Sequence, residues 1–214
     1  MTGADSGQAA QPLTPEAVPT GNTFDKYGST NPVVRRLMVG FERALDELLE
    51  LAAPSSIVDV GCGEGVLTER WANRVSGRVV GIDLDDPKLR REWERRARGN
   101  LEFVAGHGDR LPFGDGEFEA ATAMEVLEHV PDPEAVLSEM ARVASRWIVA
   151  SVPREPLWRG LNLARGAYLR DLGNTPGHLN HWSRRRFALL LGRFGEVVEL
   201  RSPLPWTMAL VRLG

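Results

Sequence analysis

The chain has 214 residues, 43% of them hydrophobic and 26% charged, with a net charge of −3. That is enough for one domain with a full core, and it excludes a collagen-like, disulfide-framework or low-complexity protein. No apolar run approaches the ~20 residues of a membrane span, the N-terminus lacks the charged start and apolar centre of a signal peptide, and Cys62 is the only cysteine. A reducing cytoplasm is the expected compartment.

Residues 1–22 are small and polar with prolines at 12, 15 and 19, and they read as a disordered tail before a domain spanning 23–214. Asn31-Pro32 pairs an N-cap with a first-turn proline. The helix that follows to about Leu51 carries an apolar stripe of Val34, Leu37, Phe41, Leu45 and Leu48. Residues 24–52 form a helical cap. Next comes Ile57-Val58-Asp59-Val60-Gly61-Cys62-Gly63-Glu64-Gly65, an apolar strand that turns into alternating glycines, and then helical periodicity through Val66, Leu67, Trp71 and Val75. Such a turn lets a ligand lie against bare backbone, and the helix start beyond it offers free N–H groups. A second strand, 78–83, ends at Asp83, twenty residues after Gly63, where an α/β nucleotide site places its ribose-binding carboxylate.

Strands at 101–105, 118–124 and 147–152 alternate with helices from Pro87 to about Arg98 and from Pro133 to about Ala144. This rhythm predicts right-handed crossovers, a doubly wound and mainly parallel sheet, and a site at its strand ends. Asp59, Asp83, Asp109 and Glu125 all fall at or just past strand ends. A helix is expected over 156–169, weakened by Gly160 and Gly166. Another starts at the Ser183 N-cap and stops at Gly195, followed by two closing strands, 196–200 and 206–213.

The glycine run departs from the dinucleotide fingerprint G-x-G-x-x-G, because Val66 stands where its last glycine would be. Asp59, two residues ahead of the first glycine, suits a cationic amine better than a phosphate. Asp59-x-Gly61-x-Gly63-x-Gly65 with Asp83 downstream resembles the first two motifs of class I S-adenosylmethionine-dependent methyltransferases. Asp109 beside Leu111-Pro112-Phe113, and the run Glu125-Val126-Leu127-Glu128-His129-Val130-Pro131-Asp132-Pro133, are similar to the methyltransferase type 11 and ubiquinone-type O-methyltransferase pattern. The resemblance is strong over 57–133 and generic beyond.

It implies a Rossmann-like, seven-stranded α/β fold, parallel but for an antiparallel last strand inserted beside strand five, with helices on both faces. It also implies S-adenosyl-L-methionine as cofactor. Asp59 would lie near its amino group, Asp83 on its ribose and Asp109 by its adenine, with Tyr27, Gly61, Cys62, Gly63, Leu84, Arg110 and Glu125 as further contacts. His129 and His181 are the candidate bases for an acceptor hydroxyl. Residues 153–182 would cover the acceptor, with Trp158 and Trp182 as possible lining.

Glu125, Glu128 and His129, joined by His178 or His181, form a possible divalent-metal set, as in some ubiquinone-pathway and small-RNA relatives; packing and loop-holding roles compete with that reading. Residues 146–214 hold eleven arginines against four acids, hence +7, so the first 145 residues carry −10. This points to a small, anionic acceptor, with O-methylation favoured over N- or C-methylation. A monomer or homodimer is expected, and no nucleic-acid partner, for want of stacking motifs and lysine clusters. RNA or protein modification, a nucleotide-binding oxidoreductase and a non-catalytic adaptor remain the rival readings.

Overall fold

The computed structural model describes residues 30–164, 166 and 168–214. Tyr27 and the polar segment 1–22 lie outside them. Helix α1 (Pro32–Ala52) begins where Asn31 accepts a 2.9 Å hydrogen bond from the Val33 amide and ends at Ala53, whose left-handed backbone breaks the helix. Its buried stripe runs through Met38, Phe41, Leu45 and Leu48.

Seven strands form one sheet: β1 (Ile57–Val60), β2 (Val79–Asp83), β3 (Leu101–Ala105), β4 (Phe118–Met124), β5 (Ala144–Pro153), β6 (Glu196–Arg201) and β7 (Trp206–Arg212). Their order is β3-β2-β1-β4-β5-β7-β6. All pairs are parallel except those of β7, which slots antiparallel between β5 and β6. The architecture is the doubly wound, Rossmann-like one that the strand–helix alternation implies.

Helices α2 (Val66–Ala72), α3 (Pro87–Arg96), α4 (Pro133–Val143) and α6 (Arg184–Leu191) cover the sheet. Two apolar cores result. One packs Val136, Leu137 and Met140 of α4 and Phe187 of α6 on Val58, Val60 and Ala121. The other packs α1 and Trp71 of α2 on Ile57, Val79 and Leu210. Strand order reverses between β1 and β4, so the carboxyl ends of those strands flank the switch point where α/β sheets bind ligands.

The expected helix over 156–169 is only α5 (Leu157–Ala164), followed by a single 3₁₀ turn at Leu169–Asp171. Gly166, at φ 72°, leaves the right-handed region, which a continuous helix cannot do. Helix α6 ends at Gly192 rather than Gly195. Gly195 serves the next strand instead: a Cβ there would sit 2.3 Å from the Arg212 carbonyl oxygen. Among the described residues no helix is long and apolar enough to cross a membrane.

Candidate active site

The turn after β1 is tied to the neighbouring strand by its own amides. Gly61 and Cys62 N–H both donate to the Ile82 carbonyl, at 2.8 and 3.2 Å, and Gly63 N–H donates to Asp83 Oδ2 at 2.7 Å. Gly61, Gly63 and Gly65 all have φ between 53° and 79°, so a side chain at any of them is strained. The third glycine serves packing: a Cβ on Gly65 would lie 2.5 Å from the Phe103 ring, and that ring stacks on Trp93. Trp93 in turn donates its indole N–H to the Gly63 carbonyl at 2.8 Å. Nothing in the local pattern around the glycines announces this clasp, because its residues lie thirty positions apart.

Asp59 points to the α2 side of the sheet and is 2% exposed. Its two oxygens accept from Thr68 on α2 (2.6 Å) and Thr122 on β4 (2.9 Å). Burial outweighs those two hydroxyls and pushes its pKa up to about 7. Burial likewise raises the pKa of Asp83, against the pull of the Gly63 and Leu84 amides. Desolvation and the nearby Asp59 and Asp83 carboxylates hold the Cys62 thiol well above the usual range, so it is no nucleophile.

These groups open into one cavity of about 1190 Å³. It begins at Asp59, Gly61 and Gly63, passes Asp83 and Leu84 at the end of β2, and reaches Asp109 in the turn after β3. Cys62 and Glu125 also line it; Arg110 is exposed and does not. Glu125, directly after β4, sits in the left-handed region at φ 62°, with its amide held by the Ser151 carbonyl. A non-glycine residue there costs on the order of 1–3 kcal/mol, a strain that clusters at functional sites.

The far end of the cavity is walled by Met38 and Phe41 of α1, Trp158 and Leu161 of α5, and Trp206. Small-molecule sites commonly measure ~300–1,000 Å³, so this cavity has room for two molecules side by side. Its lining includes Asp59, Glu64, Asp83, Asp109, Glu125, Glu128 and Asp132, and among its described residues no lysine or arginine. Among the described residues the arginine-rich last third adds no cation to this lining.

Between the two ends, Glu128, His129 and His178 bring a carboxylate oxygen and two ring nitrogens within 4.8 Å of one another. The loop bearing His178 is stapled to the loop after β4. Leu179 and Asn180 amides donate to the Glu128 carbonyl (2.7 and 3.1 Å), and the Asn180 side chain donates to the Leu127 and Val130 carbonyls. His129 Nδ1 lies 2.9 Å from the Gly177 carbonyl, which can only accept, so Nδ1 carries the hydrogen and Nε2 is the accepting nitrogen of the neutral ring. His181 is not part of this group. It lies outside the cavity lining, with Nε2 2.6 Å from Asn174 Oδ1, and burial together with Arg159 lowers its pKa. Glu125 also stays outside the cluster. Trp182 packs against Phe187 instead of lining the cavity, whereas Trp158 does line it.

A seven-stranded sheet with this inserted antiparallel strand, a glycine turn at its switch point and acids at successive strand ends is the construction of class I S-adenosylmethionine-dependent methyltransferases, and the chain carries a methyltransferase domain of that kind. Residues 58–146 match the family model described as "Methyltransferase domain". A ubiquinone biosynthesis O-methyltransferase of Methylococcus capsulatus is 39% identical over 145 residues, covering 59% of this chain and 60% of that protein. A probable chloroplastic tocopherol O-methyltransferase of Oryza sativa is 35% identical over 115 residues, 48% of this chain and 32% of that one. The chain thus spans between about a third and three-fifths of these relatives' length. The PH0226 protein of Pyrococcus horikoshii superimposes with a TM-score of 0.67 at 17% identity, covering 90% of this chain and 97% of that one. Magnesium protoporphyrin IX methyltransferase from Synechocystis, solved with bound SAH, gives 0.63 at 19% identity, covering 87% and 90%. Both likenesses are of fold.

Proposed function

We propose that this protein transfers a methyl group from S-adenosylmethionine to a hydroxyl of a small, uncharged acceptor with an apolar body, and that it works in the cytoplasm. The observation carrying this reading is the acidic half of the cavity. Gly63 held by Asp83, with Asp59 behind and Asp109 beyond, offers bare backbone and carboxylates along three consecutive strand ends. That is a fit for a cationic nucleoside with ribose hydroxyls, and a poor one for a pyrophosphate. The cofactor supplies an activated sulfonium methyl. The chain's own residues then have to orient the acceptor oxygen toward it, exclude water and take the hydroxyl proton.

In this reading residues 153–182 form the acceptor wall, Trp158 and Trp206 flank the acceptor body, and His129 with His178 replaces the pair His129 and His181 as proton acceptor. The named relatives are described as a ubiquinone biosynthesis O-methyltransferase and a probable tocopherol O-methyltransferase, which agrees with an apolar acceptor chamber. RNA is disfavoured by the lack of cations among the described residues of the lining.

A second reading is supported by one observation, the donor cluster. Glu128, His129 and His178 are one carboxylate and two imidazoles, the set that binds a Zn²⁺-type ion. A metal held there would act as Lewis acid on the acceptor oxygen.

One experiment tests both. Calorimetry with S-adenosylmethionine and its demethylated product should show binding of both. Labelled cofactor is then screened against hydroxylated aromatic and lipid extracts with and without EDTA. No heat on well-folded protein overturns the reading. EDTA-insensitive turnover removes the metal, while turnover lost to EDTA and restored by Zn²⁺ or Mg²⁺ establishes it.

A further inference from the structure

The backbone of Leu111 is clamped on both sides by two side chains of α4. Its N–H donates to Glu139 Oε2 at 2.8 Å, and its carbonyl accepts from Arg142 Nη2 at 3.0 Å. Arg142 Nη1 also donates to the Phe113 carbonyl (2.8 Å) and to Asp115 Oδ1 (2.9 Å), and the Arg142 carbonyl accepts the Gly116 N–H at 2.8 Å. Glu139 steadies the guanidinium through both of its oxygens, at 2.7 Å each. The two residues are three apart and so are neighbours on the helix, while Val136, Leu137, Met140 and Val143 bury that helix in the core. The anchor is rigid, and the planar arginine fork reaches several acceptors at once.

What this clamp holds is the segment that carries Asp109. Asp109 lies two residues before Leu111, in a tight turn closed by the Arg110 N–H on the His107 carbonyl (3.2 Å). It lines the cavity beyond Asp83, yet it is exposed, so its own burial does little to fix it. On its amino side the chain is seated closely, because a Cβ on Gly108 would lie 3.0 Å from Val60 Cγ1 of β1. On its carboxyl side Glu139 and Arg142 do the holding. A carboxylate that selects one purine over another has to be held to within about 0.5 Å of its working position.

We propose that Glu139 and Arg142 are positioning residues for base selection. By fixing the Asp109 turn they set a preference for adenine, whose exocyclic amine donates, over a 6-oxo purine, which presents an acceptor at that place. This rests on the cofactor reading above, with Asp109 at the adenine.

The test uses the full chain and calorimetric titration with S-adenosylhomocysteine and its 6-oxo counterpart, S-inosylhomocysteine. The wild type is expected to bind the adenine compound about tenfold or more tightly than the other, since a hydrogen bond to a charged group is exchanged for a repelled acceptor. Arg142→Met removes the fork and keeps the aliphatic stem. It should weaken the adenine compound about tenfold and leave the inosyl compound within about twofold, which erases the preference. Asp109→Ala should erase it as well, and adding Arg142→Met to that change should lower it no further. Should circular dichroism show Arg142→Met unfolded, Arg142→Lys keeps the charge, loses the fork and carries the same expectation. A preference that survives in the folded variant overturns the proposal. Equal weakening of both compounds also overturns it, since a purely structural role does that and leaves the ratio alone. A wild type that binds both compounds alike overturns it while the cofactor reading stands. A wild type that binds neither overturns the cofactor reading and this inference together.

Discussion

The carboxylate of Asp83 grips the backbone of Gly63, accepting its N–H at 2.7 Å through Oδ2 while Oδ1 accepts the Leu84 N–H at 2.7 Å. One side chain thus locks the glycine turn after β1 to the end of β2. Asp83 also lines the cavity, which is where ribose hydroxyls would be met. Hydrogen bonds to a charged group are worth about 1.5–3 kcal/mol each. Asp83→Ala is therefore expected to weaken S-adenosylmethionine binding by about a hundredfold, measured by calorimetry. Unchanged affinity would mean that the nucleoside lies elsewhere.

Asp59 gives the protein a pH dependence of defined sign. Its pKa in the folded chain, about 7, lies above the ordinary 3.8. The folded state therefore binds a proton that the unfolded chain has already lost. Asp59's stabilising contribution is full below about pH 4 and declines as pH rises to about 7. Without ligand, the urea midpoint should fall across that window, and Asp59→Asn should flatten the fall. A cationic ligand favours the ionised form, so affinity for S-adenosylmethionine should strengthen up to about pH 7 and then level off. A flat affinity profile from pH 5 to 8 would detach Asp59 from the cofactor.

Gly61 meets two constraints at once. Its φ is +73°, and a Cβ there would come within 2.3 Å of Val126 Cγ2 on the loop after β4. Gly61→Ala should cost about 2–4 kcal/mol in chemical denaturation, combining backbone strain with overpacking. Adding Val126→Ala should relieve the steric share and leave the backbone share, a coupling that a double-mutant cycle reads directly. Strict additivity of the two changes would refute the contact.

Thr175 holds the apolar chamber together. Its hydroxyl accepts from the Trp158 indole N–H (2.9 Å) and from Asn162 (3.2 Å), and its carbonyl accepts from the His178 amide (3.1 Å). Trp158 in turn stacks on the His178 ring with centroids 6.0 Å apart. Thr175→Val removes the acceptor from two partly or fully buried donors and should destabilise by about 1–3 kcal/mol, while Thr175→Ser should restore most of the loss. If the clasp positions the acceptor wall, Thr175→Val raises the acceptor KM and leaves the cofactor Kd unchanged. Equal loss of both would make it a general fold defect.

The strand–helix order, the glycine turn and the acids at strand ends were all legible along the chain, because each is a local pattern. Alternation with period two or 3.6 sets element type, and left-handed turns demand glycine within a few residues. Even the antiparallel insertion of β7 followed from the class the motifs resemble.

What escaped the linear pattern depends on partners brought together from far along the chain. His178 joins Glu128 and His129 across some fifty positions, whereas His181, equally plausible on paper, turns to Asn174. Thr68 and Thr122 meet on Asp59 from a helix and a strand, and Trp93 reaches back to Gly63. Among the described residues, the arginines whose number hinted at an anionic acceptor stay out of the cavity lining. Composition counts charges, but only packing aims them: a side chain's direction is set by which face its element buries, and that is decided by the assembled sheet.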